Sequence, residues 1–118
     1  MIIRHATPAR NLTSILRLGL LCSRSKGRLP VVWACAPGKT WWSVIHVVRR
    51  HGGRVESTVV LELDLSRGWL RRGRRGLWFC ASDTAPGRFR RLISFAELAG
   101  PSADERPPQQ GPLALAAG

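Results

Sequence analysis

A chain of 118 residues with 44% hydrophobic content has the size of one domain around one modest core, which excludes wholesale disorder and a multidomain assembly. Its net charge of +12 is set by 19 basic against 7 acidic residues, and with Lys26 and Lys39 the sole lysines the surplus is guanidinium, a group that grips phosphate at two points. No apolar stretch reaches the ~18 residues of a bilayer-spanning helix, the first residues lack the charged-then-apolar order of a secretory signal, and the three scattered cysteines Cys22, Cys35 and Cys80 fit neither a disulfide framework nor a metal knuckle. The expected partner is a polyanion such as a nucleic acid, or another phosphate-bearing substrate, with no membrane and no metal, in a reducing cytoplasm.

In chain order, Ile2 and Ile3 lead into His5 as a short strand. Thr7 before Pro8 predicts a helix N-cap with proline at the first helical position. Leu12, Ile15, Leu16 and Leu20 recur at helical spacing, and Gly19 supplies the stop. "CSRSKGRLP" reads as a basic loop and "VVWAC" as a strand broken by Pro37 and Gly38. A second helix is predicted through "KTWWSVIHVVRRHGG", with Trp41, Val44, Ile45 and Val48 on one face and Gly52 and Gly53 at the end.

"STVVLELDLS" is the clearest strand. Val59, Leu61, Leu63 and Leu65 make one face, and Val60, Glu62 and Asp64 make the other, which is expected to be mostly polar. "RGWLRRGRRG" reads as a basic loop, "LWFCA" as a strand, "SDTAPG" as a turn, and "RFRRLISFAEL" as a strand passing into a short helix. The domain spans residues 1–100, and the Pro, Ala, Gly and Gln of residues 101–118 predict a flexible tail. Helices early and strands clustered late predict an α+β fold with an antiparallel or split sheet; a doubly wound fold needs more alternating helices.

"APGKT" is not a phosphate loop, because the glycine required five residues before Gly38 is Trp33. Lys39 and Thr40 remain at a helix start, where free N–H groups meet anions. His46 and His51 are five apart, too poorly placed on a helix to share a metal, and no acidic residue stands beside them in sequence. There is no G-x-S-x-G nucleophile elbow. Of the tryptophans, Trp33, Trp41 and Trp78 are expected in the core, and Trp42 and Trp69 at the surface, where an indole can stack on a base.

Several segments taken together resemble one family. "HATPARNLTSILRLGL" from His5 to Leu20, then "VVWACAP", "VVRRHGG", "VVLELDL", "GLWFC" and "APGRF" resemble in order and spacing the ADP-ribosyltransferase-like fold, most closely the catalytic lobe of the tRNA 2′-phosphotransferases. The resemblance covers about residues 2–95, with Ala6 where the family has glycine and "VVWAC" where it has "H-x-H-L-S". It implies a compact split β-sheet with two main helices and NAD as cofactor. His5 would hydrogen-bond a ribose hydroxyl, Ala6 would offer backbone to the nicotinamide amide, and Thr7 and Trp33 would line the pocket.

The same resemblance puts Arg50 at the helix-end position that handles the RNA 2′-phosphate, with Arg49 if the register slips by one. His51, Arg88 and Arg90 are added as phosphate contacts, and Glu97 is the nearest match to a glutamate that fixes the second ribose hydroxyl. The implied activity is an NAD-dependent transferase acting on RNA or another nucleic acid, with His5 and Arg50 catalytic. The alternatives are a non-catalytic basic nucleic-acid-binding module on the same scaffold, and a protein-modifying ADP-ribosyltransferase toxin or effector. The family's extra N-terminal lobe would have to come from a separate chain. Arg24, Arg28, Arg71, Arg72, Arg74 and Arg75, in the basic loops, are expected to attract the nucleic-acid backbone.

Overall fold

The computed structural model describes residues 1–25, 31–73 and 77–98. Lys26, Arg28, Arg74, Arg75 and the 101–118 tail lie outside the described residues. The fold is α+β: one antiparallel six-stranded sheet with two main helices. The strands are β1 (Ile2–Pro8), β2 (Val32–Cys35), β3 (Thr58–Asp64), β4 (Arg71–Arg72), β5 (Leu77–Cys80) and β6 (Phe89–Ile93), in the spatial order β4-β5-β2-β1-β3-β6. Helix α1 (Leu12–Leu18) follows β1, α2 (Thr40–His51) follows β2, and the single turn α3 (Phe95–Leu98) follows β6.

The helix start differs from the expectation. β1 continues through Thr7 and Pro8, which pair with Val59 and Thr58 of β3. A 3-10 turn, Ala9–Asn11, then leads into α1. Thr7 therefore caps no helix; the long β3 partner offers its backbone a continuous ladder, and this outweighs the local capping preference. On α1, Leu12 and Ile15 pack against the core while Leu16 is exposed. Gly19 ends the helix as expected, its N–H donating to the Ile15 carbonyl at 2.7 Å.

Helix α2 has its four expected apolar residues, Trp41, Val44, Ile45 and Val48, all buried, the i, i+3, i+4, i+7 stripe of an amphipathic helix. Full burial of each such side chain is worth ~1.5–3 kcal/mol. The stripe covers Ala6, Val60 and Ile93, so the mostly polar even-numbered face of β3 is buried at Thr58, Val60 and Glu62 and exposed only at Asp64. The odd-numbered face carries a second core of Ile3, Leu61, Leu63, Leu65, Trp78 and others.

Beneath α2, the carboxylate of Glu62 is shared across three strands. Arg4 of β1 donates to it at 3.2 Å, and Arg91 of β6 at 3.4 Å; these are the residues opposite Glu62 in the ladder. Arg4 also donates to the Thr40 hydroxyl at 3.0 Å, which donates in turn to the Pro37 carbonyl at 2.6 Å. Thr40 is fully buried and its hydroxyl is used in holding the helix start, so it is not displayed to an anion.

Candidate functional site

Strand β1 is held unequally by its two neighbours. It pairs with β3 over seven residues, Ile2 to Pro8, but with β2 through a single register pair, Arg4 and Cys35. The ladder between β1 and β2 therefore opens after Arg4, at His5. The half-buried imidazole bridges this opening: its Nδ1 lies 2.6 Å from the Trp33 carbonyl oxygen. A carbonyl oxygen only accepts, so Nδ1 carries the proton and Nε2 keeps its lone pair.

Burial lowers the His5 pKa from the ordinary 6.5. The Trp33 hydrogen bond opposes the shift, and the positive charge of His51 adds to it. Neutral His5 is thus the form at neutral pH. The unfolded chain binds this proton at a higher pH than the folded one, so stability is lost as pH falls below 6.5. Urea unfolding of wild type should therefore show a steeper loss from pH 7 to pH 5 than His5→Gln does. Parallel profiles would contradict the burial of a neutral imidazole.

The charge that acts on His5 from His51 originates at the end of α2. His51 is its last residue, half-buried, and Arg49 and Arg50 occupy the same last turn, both exposed. Cations at a helix C-terminus also complement the helix dipole, which gives these residues a structural role beside any functional one. Thr7 lies buried two residues beyond His5 on the same face of β1. Ala6 is buried against α2. Trp33 contributes its carbonyl to the opening, while its ring tilts against Phe79, with centroids 5.3 Å apart, and is packed by Gly73.

Arg88 and Arg90 are elsewhere. Strand β6 is two strands from β1, about 10 Å across the sheet. Leu92 is level with His5 through Leu61, so Arg88 is a further ~13 Å along. The two residues line instead a 410 Å³ cleft with Asp64, Leu65, Ser66 and Phe89. Glu97 on α3 pairs with Arg91, which ties it to the Glu62 network rather than to His5.

Other chemistry is constrained by burial. Cys22, Cys35 and Cys80 are all buried and none is in a disulfide. Burial, then the carboxylate of Asp83, pushes the Cys22 thiol up, away from a reactive thiolate. Among the described residues no group of three or more His, Cys, Asp and Glu side chains is placed to hold a metal ion, and no helix is long and apolar enough to cross a membrane.

Sequence reasoning singled out His5 and the helix-end residues as candidates, but it missed Arg4 and Glu62 as a buried pair and gave Arg67 no role. The signal for the first was Arg4 and Glu62 in two strands of matched length; for the second, an arginine two residues before an exposed tryptophan. No protein-family model matches the chain, and no curated protein matches it in sequence.

Proposed function

We propose that this protein is an NAD-dependent transferase acting on RNA or another nucleic acid, with the opening between β1 and β2 as its cofactor site. The observation that carries the reading is the neutral His5, fixed by the Trp33 carbonyl so that Nε2 keeps a lone pair. A ribose hydroxyl is a fitting partner for such an acceptor. In this reading His5 and Thr7 hold the ribose, and the backbone near Ala6 meets the carboxamide. Arg50, with Arg49 and His51, draws the phosphate of the acceptor to the site. Bound NAD supplies a ribosyl carbon that becomes electrophilic when nicotinamide leaves. The work of the chain is then positioning and charge stabilisation.

The test is thermal unfolding with millimolar NAD⁺, because a ligand of the folded state raises the midpoint by mass action. Wild type should shift upward. His5→Ala should bind NAD⁺ about tenfold more weakly, the value of one lost hydrogen bond of ~1.4 kcal/mol. Nicotinamide release should then depend on 2′-phosphorylated RNA, and not on plain RNA or protein. No shift in wild type at millimolar NAD⁺ would refute the reading.

A non-catalytic nucleic-acid binder on the same scaffold is favoured by a different observation. Glu62 and Glu97 are both engaged by arginines in the network beneath α2, so neither is poised to fix a second ribose hydroxyl. Nucleic-acid binding with no NAD⁺ response would select this alternative.

A further inference from the structure

Among the described residues, two groups of arginines differ in what they face. Arg4, Arg54 and Arg91 are paired with carboxylates. Arg67, Arg72 and Arg88 lie instead over indole rings, and no carboxylate of the described residues pairs with them. Arg67 and Arg72 stand 4.3 and 5.3 Å from the centroid of Trp78, and Arg88 stands 4.7 Å from that of Trp69. Arg67 and Trp69 belong to one 3-10 turn, Arg67–Trp69, so the stacks are neighbours. The Arg67–Trp69 turn thus joins two groups, Arg72 and Arg67 at Trp78 and Arg88 at Trp69, and Arg88 also lines the 410 Å³ cleft with Arg90 and Asp64.

The two indoles differ in one respect. Trp78 is 7% exposed, whereas Trp69 is 49% exposed, so Trp78 anchors the band and Trp69 is left to meet a ligand. A guanidinium stacked on an indole has its plane fixed and its N–H edge directed outward, ready for a phosphate oxygen. An exposed indole beside such edges matches a base next to its own phosphate.

We infer that this band is a binding surface for single-stranded nucleic acid: Trp69 stacks on one base, and Arg67, Arg88 and Arg90 take the flanking phosphates. A duplex keeps its bases stacked on each other and cannot present one to Trp69, so the partner is a single strand. The net charge of +12 supplies the sequence-independent attraction. The Arg88 and Arg90 end of the surface stands apart from the His5 opening, and base stacking on Trp69 does not require a cofactor there.

The test is fluorescence anisotropy with a labelled 12-nucleotide single-stranded RNA and the same sequence as duplex, over a salt series. Wild type should prefer the single strand. Trp69→Ala should weaken binding about tenfold or more, as loss of one base stack does, whereas Trp42→Ala, an equally exposed tryptophan on α2, should leave it unchanged. Arg88→Gln should reduce the salt slope by about 0.7, the effect of one phosphate contact. Circular dichroism should show each exposed-site variant folded. The inference is overturned if Trp69→Ala binds like wild type, if the duplex binds as tightly as the single strand, or if polyglutamate competes as well as unlabelled RNA, which would make the surface one for acidic protein. The NAD⁺-induced thermal shift should persist in Trp69→Ala; RNA binding lost in that variant, with no NAD⁺ shift even in wild type, would support this surface and overturn the cofactor reading alone.

Discussion

Glu62→Ala is expected to lose about 3–5 kcal/mol of stability, the usual cost of removing one member of a buried ion pair. The side chains of Arg4 and Glu62 are 13% and 9% exposed, so the pair is largely desolvated. Deleting the carboxylate takes from the largely buried Arg4 guanidinium the counter-charge beside it and leaves its bond to the neutral Thr40 hydroxyl. Arg91 is 46% exposed, so it can turn to water and its share is small. Against a total of ~5–15 kcal/mol for a domain, urea unfolding should show a midpoint near the limit of folding. The double replacement Arg4→Met with Glu62→Leu should recover much of the loss, because an apolar pair carries no desolvation penalty. A loss below ~1 kcal/mol for Glu62→Ala would show that water reaches the pair.

Gly19→Ala is expected to cost about as much by a different route. Gly19 ends α1 at φ +87°, in a region that costs a side-chain-bearing residue about 1–3 kcal/mol. A Cβ there would also stand 2.1 Å from the Thr84 carbonyl oxygen. That carbonyl accepts from the Leu20 N–H at 2.9 Å, and Thr84 N–H donates back to Leu20 at 2.9 Å. The bridge has to move, which adds ~1 kcal/mol for each of its two hydrogen bonds. Gly52 has a similar backbone, φ +76°, with nothing within 4 Å of its built Cβ, so Gly52→Ala should cost the conformational part alone. Equal losses for the two variants in thermal unfolding would contradict the close approach.

These two sites also mark what can be read from sequence. Periodicity located α2 and β3 because each carries a full stripe of apolar residues. Gly19 and Gly52 marked helix ends because few other residues adopt their conformation. The pattern in β3 did not disclose that Glu62 is covered, since alternation gives two faces and not which element lies over each. A buried carboxylate becomes visible only once Arg4 and Arg91 are known to lie on either side of it. Thr7 and Pro8 show the opposite failure, a sound local signal for a helix start defeated by pairing with residues about fifty positions away.

At the candidate site, the resemblance reached His5, and the structure supplied the partner that orients it. Sequence cannot give that partner, because the Trp33 carbonyl is backbone and carries no side-chain signature. Nor could it separate Arg88 and Arg90 from the helix-end arginines, since charge runs look alike wherever the strand order places them. The strand order β4-β5-β2-β1-β3-β6 divides them between two places, the opening beside His5 and the cleft beside β6.

The account turns on the lone pair of one imidazole nitrogen, and nitrogen-15 NMR of the histidine side chains reads it directly. His5 should appear at pH 7 as the neutral tautomer with its proton on Nδ1. Its Nε2 resonance should move as NAD⁺ is added, while that of His46, exposed on the middle of α2, stays in place. A charged ring, a proton on Nε2, or an Nε2 resonance indifferent to saturating NAD⁺ would contradict the account.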